Sequence, residues 1–103
     1  MREPTFLILV AVADTERHGY GIIREVEKLS GGRLKLGPGT LYGALDRLND
    51  QGLVKTTRTE VLNGRLRRYY AISDAGLAAV LDEAARLSEV LTAVKARLLL
   101  ELP

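Results

Sequence analysis

The last thirty residues carry apolar side chains whose spacing alternates between three and four residues without a break. This heptad spacing places them along one stripe of a helix and favours packing against another helix. The stripe is too long to be covered by the rest of a 103-residue chain, so it predicts contact with a second chain. Its members are Leu77, Val80, Ala84, Leu87, Leu91, Val94 and Leu98.

The predicted dimerisation set consists of this stripe together with Leu81 and Phe6. Burial of such a stripe at ~25 cal/mol per Å² contributes several kcal/mol to association. The pattern leaves parallel and antiparallel packing open. The alternative interpretation is that the stripe packs within its own chain.

Two short helices are predicted near the start of the chain. The run from Phe6 to Ala13 is wholly apolar and rich in β-branched residues, so it also suits a strand, but Pro4 favours a helix over residues 4–14. A helix that is apolar all round needs cover on more than one side. A second helix begins at Gly19 and is stopped by the glycine pair at residues 31–32.

A third helix has clear signals at both ends. Gly37 fits the N-cap and Pro38 the first helical position. Gly52 fits the left-handed position that follows a helix, and Leu48 and Leu53 then occupy the hydrophobic pair of a Schellman motif.

A β-hairpin follows, with strands over residues 54–62 and 65–72. The dipeptide Asn63-Gly64 between them is typical of a type I′ turn. Tyr70 and Ile72 share the face expected to reach the core. Ser73 is the expected N-cap of the last helix, which runs towards Leu100.

The predicted fold class is therefore mainly α with a small β-hairpin wing. It is a winged helix-turn-helix domain over residues 1–73, followed by a long C-terminal dimerisation helix over residues 74–103.

Composition excludes several functions. The chain has no cysteine and one histidine, which argues against a thiolate or histidine metal site, a cysteine nucleophile and a histidine-based triad. We predict no catalytic residue, no metal and no cofactor. The longest apolar run is far too short for a membrane span, so we expect a cytoplasmic protein without a membrane partner. The formal net charge is only +2, so the distribution of charge must decide whether the chain binds nucleic acid.

The third helix is the candidate reader of double-stranded DNA. Its face opposite the leucines carries glycines that allow close backbone approach, together with hydroxyls and an arginine that suit phosphate or base contacts. Asp46 on this face is an unfavourable neighbour for DNA. The alternative is that these residues only start and pack a helix. The predicted contacts are Gly39, Thr40, Tyr42, Gly43 and Arg47.

The hairpin supplies the second part of the candidate interface. Arg65 adjoins the turn and Arg67 shares its face, where both suit the DNA backbone or a minor groove. Arg58 and Arg68 add positive charge, opposed by Glu60. The alternative is an ordinary solvated strand.

Several segments resemble the PadR family of transcriptional regulators, over about residues 6–76. The matching segments are His18-Gly19-Tyr20-Gly21-Ile22-Ile23, Leu34-Lys35-Leu36-Gly37-Pro38-Gly39-Thr40-Leu41-Tyr42, Gly52-Leu53-Val54 and Arg68-Tyr69-Tyr70-Ala71-Ile72-Ser73. The single C-terminal helix resembles the family's short subgroup, in which that helix packs across a dimer.

The resemblance implies a homodimer, usually a repressor, that binds an inverted-repeat operator. It also implies release of the DNA by an effector, either a small molecule or another signal. Gly37 stands where serine is common and Gly43 where proline is common. Neither departure threatens the fold, and both leave the exact base contacts open. The runner-up function is a winged-helix module that binds proteins without specific DNA binding.

Overall fold

The computed structural model describes residues 1–101. Four helices and a three-stranded antiparallel sheet follow one another along the chain, and the strands lie in the order β1-β3-β2. The elements are α1 (Glu3–Ala11), β1 (Arg17–His18), α2 (Gly19–Leu29), α3 (Pro38–Asp50), β2 (Val54–Leu62), β3 (Arg65–Ile72) and α4 (Asp74–Glu101). This is the predicted fold class, with one strand more than expected.

Helix α1 ends three residues before the predicted boundary at Asp14. The carbonyl of Val12, which a further helical turn would need, instead accepts a hydrogen bond from the backbone N–H of Ile72 at 3.1 Å. The guanidinium of Arg17 donates to the carbonyl of Ala11 at 2.7 Å and satisfies an end carbonyl of the helix. Long-range partners therefore set this boundary.

Strand β1 was not predicted. It is only two residues long, and its partners are Tyr70 and Tyr69 of β3. Two residues are too few to show the alternation of hydrophobic and polar side chains, so the sequence pattern cannot predict such a strand. The strand matters because it places the start of α2 beside the hairpin.

The end of α3 has the predicted Schellman geometry. Gly52 has a positive φ of 74°, where a glycine is favoured. The N–H of Leu53 donates to the carbonyl of Leu48 at 2.9 Å, and the N–H of Gly52 donates to that of Asn49 at 3.0 Å. These two bonds turn the chain directly into β2.

The hairpin also has the predicted turn, since Asn63 and Gly64 both have positive φ. A register shift between Thr56 and Arg58 leaves Thr57 without a partner in β3. This β-bulge was not predicted. It changes which side chains of β2 share a face beyond that point.

One hydrophobic core joins the three short helices, the base of the sheet and the second turn of α4. Its buried members are Ile8, Leu9, Ala11, Val12, Ile22, Val26, Leu41, Ala44, Leu45, Leu48, Val54, Tyr70 and Val80. Tyr70 thus reaches the core as predicted, and Ile72 packs against it partly buried. Helix α4 packs mainly on α1 and β3, so much of the cover for α1 comes from its own chain.

Beyond these contacts α4 continues alone. Its 28 residues span about 42 Å, and most of that length projects from the winged domain. The predicted dimerisation segment runs to residue 103, and residues 102 and 103 lie outside the described residues.

The start of α4 is anchored by Ser73. Its hydroxyl accepts a hydrogen bond from the N–H of Gly76 at 3.0 Å and donates to the carbonyl of Gly52 at 2.6 Å. Because Ser73→Ala removes both bonds, we expect it to lower the free energy of unfolding by about 1–2 kcal/mol. Urea denaturation at fixed protein concentration measures this. Ser88→Ala, on the exposed part of the same helix, is the matched control, and equal midpoints for the two variants would contradict the prediction.

Candidate nucleic-acid interface

The start of α3 is open to solvent. Gly37 occupies the N-cap and provides no side-chain hydrogen bond, so the first N–H groups of the helix are free of a cap. Gly39 and Thr40 are exposed in this first turn, and no heavy atom of a neighbouring element lies within 4 Å of where a Cβ of Gly37 or Gly39 would stand. The backbone here can be approached closely by a ligand.

Tyr42 lies one turn further along α3, with its ring partly exposed and its hydroxyl end against Gly19 of α2. A Cβ on Gly19 would stand 2.7 Å from the Cζ of the ring, so any larger residue there would require the ring of Tyr42 to move. Burial raises the pKa of the Tyr42 phenol, and Tyr70 and Tyr20 raise it further. The phenol is therefore protonated at neutral pH and can donate a hydrogen bond.

Gly43 and Arg47 occupy the next turn of the same face. A Cβ on Gly43 would lie 3.6 Å from a terminal guanidinium nitrogen of Arg47, so the arginine lies over the glycine. Asp46 is exposed and lines a cavity of about 330 Å³ together with Tyr42 and Arg68. The carboxylate that disfavours DNA thus faces a wing arginine.

The hairpin arginines divide between the two faces of the sheet. Arg65 and Arg67 share one face, opposite Leu62 and Glu60 of β2, as the alternation predicted. Arg68 lies on the other face, which is the face turned towards α3, because it is two residues from the buried Tyr70.

Arg68 is one of the basic residues evident in the sequence, but it is not part of the predicted interface. The signal was present, since a residue two positions from a predicted core tyrosine must face the same side as that tyrosine. The predicted interface includes the face of the sheet that carries Arg65 and omits the face that carries Arg68.

Arg58 is bound within a network of polar side chains at the base of the wing. Its Nε lies 2.6 Å from a carboxylate oxygen of Glu16, one terminal nitrogen lies 3.0 Å from Glu60, and the guanidinium stacks 3.7 Å above the ring of Tyr69. Tyr69 also donates to Glu60 at 2.6 Å, and Thr57 donates to Glu16. Hydrogen bonds from Thr57 and then Arg58 lower the pKa of Glu16. Arg58 therefore holds the wing to the loop before β1.

The remaining three arginines of the wing carry its available positive charge. Arg67 makes only a long ion pair with Glu60, at 4.0 Å. No carboxylate of residues 1–99 lies within ion-pair distance of Arg65 or Arg68. Despite a formal net charge of only +2, this part of the surface is strongly basic.

His18, for which the sequence suggested no role, caps α2. Its Nδ1 accepts a hydrogen bond from the N–H of Gly21 at 3.1 Å, and its ring packs edge-on against Tyr69. Burial lowers the pKa of the imidazole, and the nearby charges of Arg67 and Arg24 lower it further. The capping nitrogen is therefore unprotonated at neutral pH.

A cavity of about 410 Å³, here called the wing cleft, separates the start of α2 and Tyr42 from the wing. Its walls include Gly19, Tyr20 and Tyr42 on one side. On the wing side lie Arg65, Leu66, Arg67 and Arg68 of β3.

The predicted dimerisation residues fall into two groups. Val80 is buried in the core of its own chain and Phe6 is partly buried against that core. The others are exposed in the isolated chain: Leu77, Leu81, Ala84, Leu87, Leu91, Val94 and Leu98. Val90 and Leu99 of α4 are exposed as well.

Within residues 1–101, no helix combines the length and hydropathy needed to cross a membrane. No group of three or more histidine, cysteine or acidic residues comes together there as a candidate metal site.

Three helices, a short strand, a two-stranded wing and an exposed helix start beside it define a winged helix-turn-helix protein. The family model described as the Transcriptional regulator PadR-like family matches residues 8–82. The chain belongs to that family, as its sequence motifs predicted, and is a transcriptional regulator rather than an enzyme.

Two curated proteins illustrate the relationship. A transcriptional regulator of Mycobacterium tuberculosis is 38% identical over 83 residues, which cover 81% of this chain and 74% of that protein. A 37.1 kDa protein in a transposon of Streptomyces fradiae is 44% identical over 70 residues, which cover 68% of this chain. The match spans only 19% of the length of the transposon protein.

Solved structures share the fold. A PadR family regulator from Clostridium difficile has a TM-score of 0.76 at 20% identity, with coverage of 94% of this chain and 99% of that chain. Bacillus subtilis PadR in complex with operator DNA has a TM-score of 0.71 at 23% identity, with coverage of 81% of this chain and 48% of that chain.

Proposed function

We propose that two copies of this chain bind an inverted-repeat DNA operator and repress transcription by occupying it. The observation that carries the proposal is the uncapped, glycine-rich start of α3 beside a wing whose Arg65 and Arg68 have no carboxylate partner in residues 1–99. The Bacillus subtilis relative of similar fold, solved with operator DNA, supports the DNA partner.

In this proposal residues 1–73 bind DNA and residues 74–103 dimerise. The first turns of the two α3 helices enter successive major grooves about 34 Å apart. The reading residues are Gly39, Thr40, Tyr42, Gly43 and Arg47, and Arg65 and Arg67 contact the flanking backbone or minor groove. A regulator of this kind acts where the DNA is, so the proposal includes a cytoplasmic location.

The dimer is supported by the exposed apolar stripe of α4. An effector, a small molecule or another signal, would release DNA by binding more tightly to a dimer with a different spacing of the two α3 helices. A half-site spacing that stays the same with every effector tested would rule this step out.

The first test measures binding of purified protein to duplexes from the region upstream of its own coding sequence, with scrambled DNA as control, over a salt series. We expect selective binding at two chains per site. No binding at low salt would overturn the proposal.

A matched pair of variants tests the role of the wing. Arg65→Gln removes a charge beside the turn, and Lys28→Gln removes one from the opposite end of α2. We expect Arg65→Gln to weaken binding to all sequences and to reduce the slope of log K against log salt by about one, because a single phosphate contact is lost. Lys28→Gln should leave both quantities unchanged. Equal slopes for the wild type and Arg65→Gln would remove this arginine from the interface.

One observation favours the second candidate, a protein-interaction module. The wing exposes Val61, Leu62 and Leu66, which is unusual for a surface meant only for phosphates. The salt series separates the two functions, since an apolar protein contact would show little dependence on salt.

A further inference from the structure

The wing cleft has the composition of an anion site. One side of it is formed by β3 and includes Arg65, Arg67 and Arg68, with Arg68 on the face of the sheet turned towards α3 and the other two on the opposite face. The other side includes Tyr20 and Tyr42. Arginine and tyrosine are efficient donors to phosphate oxygens, and arginine stays charged at any relevant pH. None of the described residues that line the cleft is acidic. Glu60, on the same face of the sheet as Arg67, is bound to Arg58 and Tyr69.

The donors of the cleft are available to a ligand. Arg68 has no carboxylate of residues 1–99 within ion-pair distance, and Tyr20 is more than half exposed at the start of α2. Strand β1 covers β3 only at Tyr69 and Tyr70, so the edge of β3 from Arg68 to Arg65 has no neighbouring strand. The cleft is therefore an open trough along a free strand edge.

The position of the trough indicates which anion it takes. It lies between the wing on one side and the start of α2 with Tyr42 of α3 on the other. Under the proposed function α3 and the wing approach a major groove and an adjacent minor groove. These two grooves of a duplex share one sugar–phosphate strand, which must then pass between the two elements. A volume of about 410 Å³ is large enough for a sugar–phosphate unit.

We infer that the wing cleft holds one backbone phosphate of each DNA half-site, bound by the guanidinium of Arg68 and the hydroxyls of Tyr20 and Tyr42. The inference rests on the proposed function and adds contacts that the sequence did not indicate for Tyr20 and Arg68. Gly19 completes the site by leaving room for the hydroxyl of Tyr42.

A second observation indicates a positive electrostatic potential in the cleft. The pKa of His18, which borders the cleft, is lowered by burial and then by the charges of Arg67 and Arg24, while Glu60 opposes them more weakly. At this edge of the cleft the arginine charges thus outweigh the charge of Glu60.

The test determines whether Arg68 and Tyr20 contact one particular phosphate of the DNA backbone. Duplexes carrying one neutral methylphosphonate at each successive backbone position are titrated with wild-type protein and with Arg68→Gln and Tyr20→Phe. For wild type, we expect one position per half-site to cost ~10-fold in affinity, the scale of a lost charged hydrogen bond. For Arg68→Gln, the native duplex should bind ~10-fold more weakly and that same methylphosphonate should add no further loss.

Other outcomes separate the two proposals. Additive losses for Arg68→Gln and Tyr20→Phe at every position, with selective DNA binding intact, would overturn the cleft assignment and leave the regulator in place. Absence of selective binding by the wild type would overturn the proposed function itself. Because Tyr20→Phe removes only one exposed hydroxyl, its thermal midpoint should match the wild type and it remains informative if Arg68→Gln folds poorly.

A free anion is the alternative source of the same chemistry. Inorganic phosphate is titrated into DNA-free protein at constant ionic strength, and tyrosine fluorescence is compared between the wild type and Tyr20→Phe. We expect no saturable binding below millimolar concentration. Micromolar binding that also displaces DNA would instead assign the cleft to a small anionic ligand.

Discussion

A double substitution of Leu91 and Val94 by aspartate is expected to convert a dimer into a monomer. In the isolated chain these side chains are 52% and 46% exposed, on the part of α4 that extends past the winged domain. Each buried leucine or valine is worth about 1.5–3 kcal/mol. Removal of two from each chain, with four carboxylates brought together, should weaken the dimer at least ~100-fold.

Sedimentation velocity over a concentration series measures the change. The control adds the same charge to the opposite face of α4, through Thr92→Asp and Ala96→Asp, and should remain dimeric. The Leu91→Asp/Val94→Asp variant should also bind the operator more weakly, because each half-site is then bound by a separate chain. The predicted role of α4 would be contradicted if the wild type were monomeric at tens of micromolar. It would also be contradicted if the Leu91→Asp/Val94→Asp variant were as dimeric as the control.

The second large effect is expected from Gly76→Ala. A Cβ on Gly76 would overlap the carbonyl oxygen of Leu53 and stand 2.8 Å from Cγ1 of Ile72. The carbonyl cannot retreat freely, because it accepts the N–H of Ser73 at 3.1 Å. Overpacking against a fixed backbone atom should lower the free energy of unfolding by about 3 kcal/mol.

Urea denaturation of Gly76→Ala beside Gly39→Ala tests this explanation. Both changes add one methyl group to a helix, but no heavy atom of a neighbouring element lies within 4 Å of a Cβ on Gly39. Gly39→Ala should therefore be neutral or stabilising by up to ~1 kcal/mol, through helix propensity. A Gly76→Ala protein as stable as the wild type would show that the junction is more plastic than its packing indicates.

Features decided by neighbouring residues were predictable from the sequence. The Schellman end at Gly52, the I′ turn at Asn63 and the serine cap at Ser73 all follow from local backbone chemistry, and the structure confirms each. The exposed stripe of α4 was visible because its period persists over three heptads.

Features decided by distant residues were not predictable. Helix α1 ends where the carbonyl of Val12 accepts a hydrogen bond from Ile72, sixty residues later in the sequence. Strand β1 exists only through its pairing with Tyr69 and Tyr70. The same limit applies to the interface. Arg58 is neutralised by Glu16, 42 residues earlier, so the sequence showed its charge but not its loss from the binding surface.

The contacts that anchor α4 also give the molecule a mechanical property. Ser73 binds the carbonyl of Gly52, its N–H binds that of Leu53, and Gly76 packs against the same strand entry, immediately after α3. The start of α4 and the end of α3 are therefore joined by several direct contacts, and α4 extends about 42 Å from this junction. In the proposed dimer, a change of the crossing angle between the two α4 helices, made far from the DNA, would turn both α3 helices without any contact to them.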